Sequence, residues 1–188
     1  MPPRSSTGLR TSVPGRGRRS APKDPYATAL RLLSQRAYST GGLAATLKRK
    51  FPGDERLPGV IERLRKLKFL DDRRFAENCA SFLARHRGWG RFRVERELKS
   101  RKVPEIWIAP AVEHAFQETD ERELVGKFVE KKLRGVRFPL TPQKFGSLSR
   151  SLMRRGFPAN VIMEAIRDYR RAVALIDQDD LIEAAEEE

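Results

Sequence analysis

The side chains of this sequence that could attack, ligate or exchange protons are few and poorly spaced for it. Cys79 is the only cysteine, which excludes an internal disulfide and a cysteine-based zinc site. It lies among Ala76, Ala80 and Phe82 in an amphipathic run, the setting of a packed thiol rather than of a nucleophile. His86 and His114 stand far apart with no ligand spacing around them. The Asp71–Asp72 pair precedes an apolar helical pattern, where helix capping explains it better than paired-carboxylate catalysis. No P-loop, metal-ligand spacing or nucleophile motif appears. No enzymatic activity, metal or cofactor is expected.

Charge is the chemistry that remains. Lys and Arg number 39 against 25 Asp and Glu, for a net charge of +14, and 34% of residues are charged. Such a balance points to a negatively charged partner, nucleic acid or a protein already carrying it. The richest cluster is Arg85 and Arg87, followed by Arg91, Arg93, Arg96, Lys99, Arg101 and Lys102. Val94 and Leu98 need the inward face of that stretch, so most of the cations are expected to point outward. Guanidinium groups so placed can hold phosphate or carboxylate bidentately, although Glu95 and Glu97 interrupt the run. Lys48, Arg49 and Lys50, then Arg63, Arg65, Lys66 and Lys68, form an earlier cluster, and Arg150, Arg154 and Arg155 a later one. Glu123–Lys127 and Glu130–Arg134 have the i, i+4 spacing of helix-stabilising pairs and read as structural. Trp89, between two glycines beside the main cluster, can stack on a base, anchor a protein contact or pack over a turn.

The elements that must position these charges come in three zones. Residues 1–24 are rich in Pro, Gly, Ser and Arg and are expected to form a disordered basic arm. Residues 171–188 are acidic and are expected to be a tail or helical extension that can compete for the basic body. The two ends largely cancel, so the net positive charge belongs to the body between them. No apolar stretch approaches a bilayer span and the N-terminus lacks a signal-peptide core. A cytoplasmic or nucleoid-associated protein with no membrane partner is expected.

The body repeats. Leu47, Leu98 and Leu152 are each followed ten residues later by Leu57, Ile108 or Ile162, and four residues beyond by Ile61, Val112 or Ile166. Around them run amphipathic stripes at i, i+3, i+4 and i+7 spacing. The first unit offers Tyr26, Ala29, Leu30 and Leu33, then Leu43 and Leu47, then Leu57, Val60, Ile61 and Leu64. The second offers Phe75, Cys79, Phe82 and Leu83, then Val94 and Leu98, then Ile108, Ala111, Val112, Ala115 and Phe116, with Trp107 as partial core. The third offers Leu124, Val125, Phe128 and Leu133, then Phe145, Leu148 and Leu152, then Ile162, Ala165, Ile166 and Tyr169. Thr141–Pro142 and Pro158 mark helix starts. Gly41–Gly42, Gly88, Gly90 and Gly135 are expected to break the chain between the first and second helices of the units. The expected fold is all-α, three tandem helix-turn-helix-like units over 25–70, 71–117 and 118–170 in an elongated, curved row. Thin individual cores should make the units lean on one another.

The turns between these helices carry a resemblance. Leu67-Lys68-Phe69-Leu70-Asp71-Asp72-Arg73-Arg74-Phe75-Ala76 resembles the most recognisable stretch of the RecX family. The run from Gly90 to Leu98 is similar to the family's glycine, basic, aliphatic and glutamate–leucine pattern. Leu152-Met153-Arg154-Arg155-Gly156-Phe157 resembles its arginine–arginine–glycine–phenylalanine turn. Two positions depart from the pattern: Gly41-Gly42 replace a charged helix start, and Lys102 replaces a glycine before Val103.

The resemblance implies a non-catalytic regulator that binds the RecA filament on single-stranded DNA along its groove. It implies suppression of ATP hydrolysis and strand exchange in homologous recombination and DNA repair. Single-stranded DNA, and double-stranded DNA as a further ligand, are the implied nucleic-acid partners, and the chain is expected to be a monomer. The resemblance supplies no contact positions. The partner-binding candidates therefore rest on charge and placement: Arg85, Arg87, Arg91, Arg93, Arg96, Lys99, Arg101, Lys102, Lys48, Arg49, Lys50, Arg154 and Arg155. A helical DNA-binding transcription regulator is the alternative, since three-helix units also build sequence readers.

Overall fold

The computed structural model describes residues 24–136 and 138–186, with side chains described through residue 174. Apart from Asp24, the basic arm expected at the N-terminus lies outside these residues, as do the side chains of the acidic C-terminal segment. The described regular structure is entirely helical: α1 (Pro25–Gln35), α2 (Thr40–Lys50), α3 (Leu57–Lys66), α4 (Asp72–Arg87), α5 (Arg91–Ser100), α6 (Glu105–Gln117), α7 (Glu121–Leu133), α8 (Pro142–Arg154) and α9 (Ala159–Glu186). The helices group in consecutive triplets, three tandem units in an elongated row.

Side chains at the boundaries explain where these helices start and stop. The Asp24, Asp71, Asp120 and Thr141 side chains each accept a first-turn backbone N–H, the usual remedy for donors with no partner inside the helix. The second helices of units two and three end alike. Val103 N–H donates to the Leu98 carbonyl and Lys102 N–H to that of Lys99, while Phe157 N–H donates to Leu152 and Gly156 N–H to Met153. These are Schellman turns, which need a left-handed residue after the cap. Gly156 supplies it at φ +91 and Lys102 at φ +58, so a lysine takes the conformation that glycine adopts at no steric cost.

Each unit has its own core. Ala29, Leu43, Leu47, Leu64 and Leu70 centre the first; Ala76, Leu83, Val94, Leu98 and Ile108 the second; Val125, Val129, Leu152, Phe157 and Ile162 the third. Leu70 and Phe75, five residues apart, serve neighbouring cores. Two sequence expectations fail. Phe82 is 50% exposed, its ring against His86, because α4 turns its small face, Ala76, Ala80 and Ala84, towards α6. Such small residues let the two helices approach closely. Gly41 and Gly42 do not break the chain but lie in the first turn of α2, which Ser39 caps. They are small because the next unit presses on them: a Cβ on Gly41 would lie 2.5 Å from the Lys102 carbonyl oxygen.

That contact belongs to a joint built twice. At the first joint, Thr40 N–H, at the head of α2, donates to the Asp72 carboxylate at the head of α4 (2.7 Å), and the Ser39 hydroxyl donates to the Arg101 carbonyl. At the second, Arg91 N–H, at the head of α5, donates to the Glu121 carboxylate at the head of α7 (3.0 Å), and Gly90 N–H donates to the Arg155 carbonyl (2.9 Å). Each of the first two units thus seats the start of its second helix against the next unit's first helix and Schellman turn. Glycine makes room on either side of the seam. Gly41 and Gly42 do so on the helix side at the first joint; at the second, Gly156 does so on the turn side and Gly90 at the α5 cap. The exchange accounts for Lys102 and Gly41–Gly42 together.

Unit three does not offer the same seat again. Its core residue Leu148 falls one turn later in α8 than Leu43 does in α2 or Val94 in α5. The amide equivalent to those of Thr40 and Arg91 is then that of Phe145, which donates to the Thr141 carbonyl within the extra turn.

Candidate nucleic-acid interface

Contacts within the scaffold decide which cations are available. Arg91 is not: its Nε lies 2.9 Å from Glu121, which is only 8% exposed, and its guanidinium also faces the Phe116 ring. Arg85 pairs with Glu118, and Arg101 with Glu97 at 2.8 Å. Lys99 bridges Glu95 and Glu105, and hydrogen bonds to these two carboxylates raise its ammonium above the ordinary lysine value. Arg155 is half-buried, its guanidinium 4.5 Å above the Phe128 ring. These five candidates sit in the scaffold's own ion-pair and cation–π contacts.

The other candidates are placed differently. Among the described residues, no carboxylate lies within ion-pair distance of Arg87, Arg93, Arg96, Lys102, Lys48, Arg49, Lys50 or Arg154. Apart from half-buried Arg93, all are exposed, and they come from all three units. Lys48, Arg49 and Lys50 end α2, Arg87 ends α4, and Arg154 ends α8. Their charge there opposes the negative helix ends.

A cleft opens beside each joint. The second, of about 800 Å³, is lined by Trp89, Arg93, Arg96, Glu97, Met153 and Arg154, among others. The Arg93 guanidinium lies 3.9 Å above the Trp89 ring. Exposed Phe92 (56%) neighbours Arg93 on α5, and Met153 in the cleft is 50% exposed. The first cleft, about 360 Å³, holds Tyr38 with the Arg36 guanidinium 4.4 Å above its ring, and is bordered by Ser100, Arg101 and Lys102 of the next unit. Tyr38 and Trp89 hold equivalent places, each immediately before the N-cap of its unit's second helix. Arg36 and Tyr38 were missed in the sequence because they lie outside any dense cluster; the signal was an aromatic residue before the cap in both units.

The residues with catalytic potential stay apart. Cys79 is half-buried and burial pushes its thiol up, away from the nucleophilic thiolate. Asp71 caps α4, whereas Asp72 holds the first joint. Among the described residues, no group of His, Cys, Asp and Glu is arranged to hold a metal ion, and no helix is long and apolar enough to cross a membrane.

The arrangement of units has counterparts. Residues 71–112 match the family model for the second three-helix domain of RecX. The regulatory protein RecX of Chlorobaculum tepidum is 35% identical over 140 residues, 74% of this chain and 84% of that protein. The chain belongs to the RecX family. Another relative, the RecX of Thermobifida fusca, is 30% identical over 92% of this chain and 93% of its own. The crystal structure of RecX from Lactobacillus salivarius superposes with a TM-score of 0.64 at 19% identity, over 77% of this chain and 93% of that one. It shares the fold. Family membership places this RecX chain among regulatory proteins rather than enzymes, and the three stretches that first pointed there now have structural roles. The Leu67–Ala76 stretch carries the first joint's carboxylate, Asp72. The Gly90–Leu98 and Leu152–Phe157 stretches meet at the second joint, where Phe92 N–H donates to the Gly156 carbonyl at 3.1 Å.

Proposed function

We propose that this chain binds the RecA filament assembled on single-stranded DNA and restrains its ATP hydrolysis and strand exchange. The carrying observation is the repeated joint, which sets three units in a row with uncompensated cations on each. An extended row of cations suits a long, repetitive, anionic partner better than a small substrate, for which no closed catalytic site is assembled among the described residues. The domain limits fit the same reading: units over 25–70, 71–117 and 118–170 act as one body, with the basic arm and acidic tail as its appendages. The candidates without ion pairs, Arg87, Arg93, Arg96, Lys102, Lys48, Arg49, Lys50 and Arg154, are the proposed contacts.

Reading of a defined duplex sequence is less well supported. In a three-helix unit the third helix reads the bases, and none of the proposed contacts lies on α3, α6 or α9. The decisive experiment adds the purified chain, below one copy per RecA, to RecA on single-stranded DNA. Both ATP hydrolysis and strand exchange should fall. A correctly folded chain that changes neither would overturn the proposal.

A further inference from the structure

We infer that Arg36 on Tyr38 and Arg93 on Trp89 form two phosphate-binding stations, one per joint, gripping successive stretches of one nucleic-acid strand; the rings hold equivalent places, while Arg36 reaches its ring from the end of α1 and Arg93 from the head of α5. The inference rests on the reading above for its partner class and adds the site and the manner of contact. A guanidinium lying on an aromatic ring is held flat, so its N–H edge is pre-positioned for an anion and less freedom is lost on binding. Both stacks are close, 4.4 Å and 3.9 Å, and among the described residues neither arginine has a carboxylate partner. Both clefts are bordered by the tail of the following unit's second helix, with Lys102 at the first and Arg154 at the second. The one acid common to both clefts, Glu97, is neutralised by Arg101.

The repetition selects the occupant. Two guanidinium stacks built on rings related by a structural repeat match a ligand that is itself a repeat, and a polynucleotide offers one phosphate per nucleotide. Met153, 50% exposed in the second cleft beside Trp89, gives unpaired bases an apolar surface, which a duplex with its bases stacked inside cannot use. A single strand is therefore the better fit. An acidic protein segment is the competing occupant, and the test separates the two.

The experiment uses the full chain and fluorescein-labelled oligothymidylate, with anisotropy measured across a salt series. Arg36→Gln and Arg93→Gln should each weaken binding and each reduce the slope of log K against log salt by about 0.7, the value for one phosphate contact on a single strand. Together they should reduce it by about 1.4. Lys144→Gln, which removes an equal charge from the α8 head away from both clefts, should leave the slope nearly unchanged. Arg93→Lys should fall between wild type and Arg93→Gln, because it keeps the charge and loses the flat stack. Equal effects at positions 36, 93 and 144 would reduce the stations to general charge and overturn the inference. So would polyglutamate displacing the oligonucleotide at lower concentration than unlabelled oligothymidylate does. Parallel RecA ATPase assays separate the two failures. Variants that bind oligothymidylate normally but no longer restrain RecA would overturn the stations and leave the proposed function standing. A wild-type chain inert towards RecA, with the slopes as expected, would do the reverse.

Discussion

One methyl group at position 156 tests the joint more sharply than removal of any charge. Gly156 has φ +91, and a Cβ there would lie 2.3 Å from the Arg93 backbone nitrogen and 2.5 Å from its Cβ. Two penalties combine in Gly156→Ala. An L-residue in the left-handed region costs about 1–2 kcal/mol, and forcing a carbon into packed backbone costs about 1–3 kcal/mol. The expected loss is then about 2–5 kcal/mol, a large share of the roughly 5–15 kcal/mol that holds a domain folded. Gly135→Ala isolates the first penalty, since Gly135 has φ +72 but open space around its Cβ; it should lose only about 1–2 kcal/mol. Gly126, inside α7 with nothing near its Cβ, should gain about 1 kcal/mol on becoming alanine. Urea unfolding followed by circular dichroism gives the ranking. Trp89 fluorescence, read in a Trp107→Phe background so that it reports from the joint alone, shows whether the Gly156 variant opens there before the separate cores melt. Equal losses at 135 and 156 would refute the close approach of units two and three.

Other perturbations probe single parts of the same scaffold. Glu121→Ala removes the acceptor of Arg91 N–H together with its ion pair, and should cost about 1–3 kcal/mol in chemical unfolding, with Glu121→Gln costing less because an acceptor oxygen remains. Lys102→Gly should raise the thermal midpoint: relief of left-handed strain, about 1–2 kcal/mol, exceeds the added backbone entropy, about 0.5–1 kcal/mol. Asp54, hydrogen-bonded to the Arg56 side chain and amide, has its carboxyl lowered from 3.8 to about 2. The folded value lies below the unfolded one, so the pair's contribution is present above pH 3.8 and is lost as pH falls towards 2. A carbon-detected NMR titration should place the Asp54 midpoint near 2, and Arg56→Gln should return it towards the ordinary carboxylate value.

The helices and the units were legible because burial imposes a period on the sequence. Leu43, Val94 and Leu148, with Leu47, Leu98 and Leu152, are core residues in equivalent places, and apolar spacing reports such places directly. What spacing cannot report is which face of a helix meets its neighbour when the face is small. Phe82 reads as core by hydrophobicity, yet Ala76, Ala80 and Ala84 take the contact and leave it exposed. The joint was hidden for another reason. Its hydrogen bonds link residues 30 to 65 positions apart and mostly use backbone groups, which every sequence contains. Gly41 and Gly42 announced a backbone peculiarity but not its kind; small size at a seam and freedom in a turn leave the same mark. The basic cluster of unit two was legible as charge, whereas its division into paired and unpaired cations depended on Glu118 and Glu121, beyond the helices that carry the arginines.

That division changes how the positive charge should be understood. If attraction to a polyanion were the whole requirement, Arg85, Arg91, Lys99 and Arg101 would be as useful free as paired, and the neighbouring glutamates would only weaken binding. They are paired where they brace unit two and its seam, and the cations without carboxylates lie at helix tails and around the two clefts. The scaffold uses part of its charge to fix the spacing at which the rest is presented. Spacing matters only against a partner with a spacing of its own, as a polymer or filament has. The extra turn at the head of α8 fits this logic, because the amide equivalent to those of Thr40 and Arg91 is bonded within its own helix. A flexible basic chain could match the net charge of this protein, but it could not hold the Arg36–Tyr38 and Arg93–Trp89 stacks at a fixed spacing across two rigid seams.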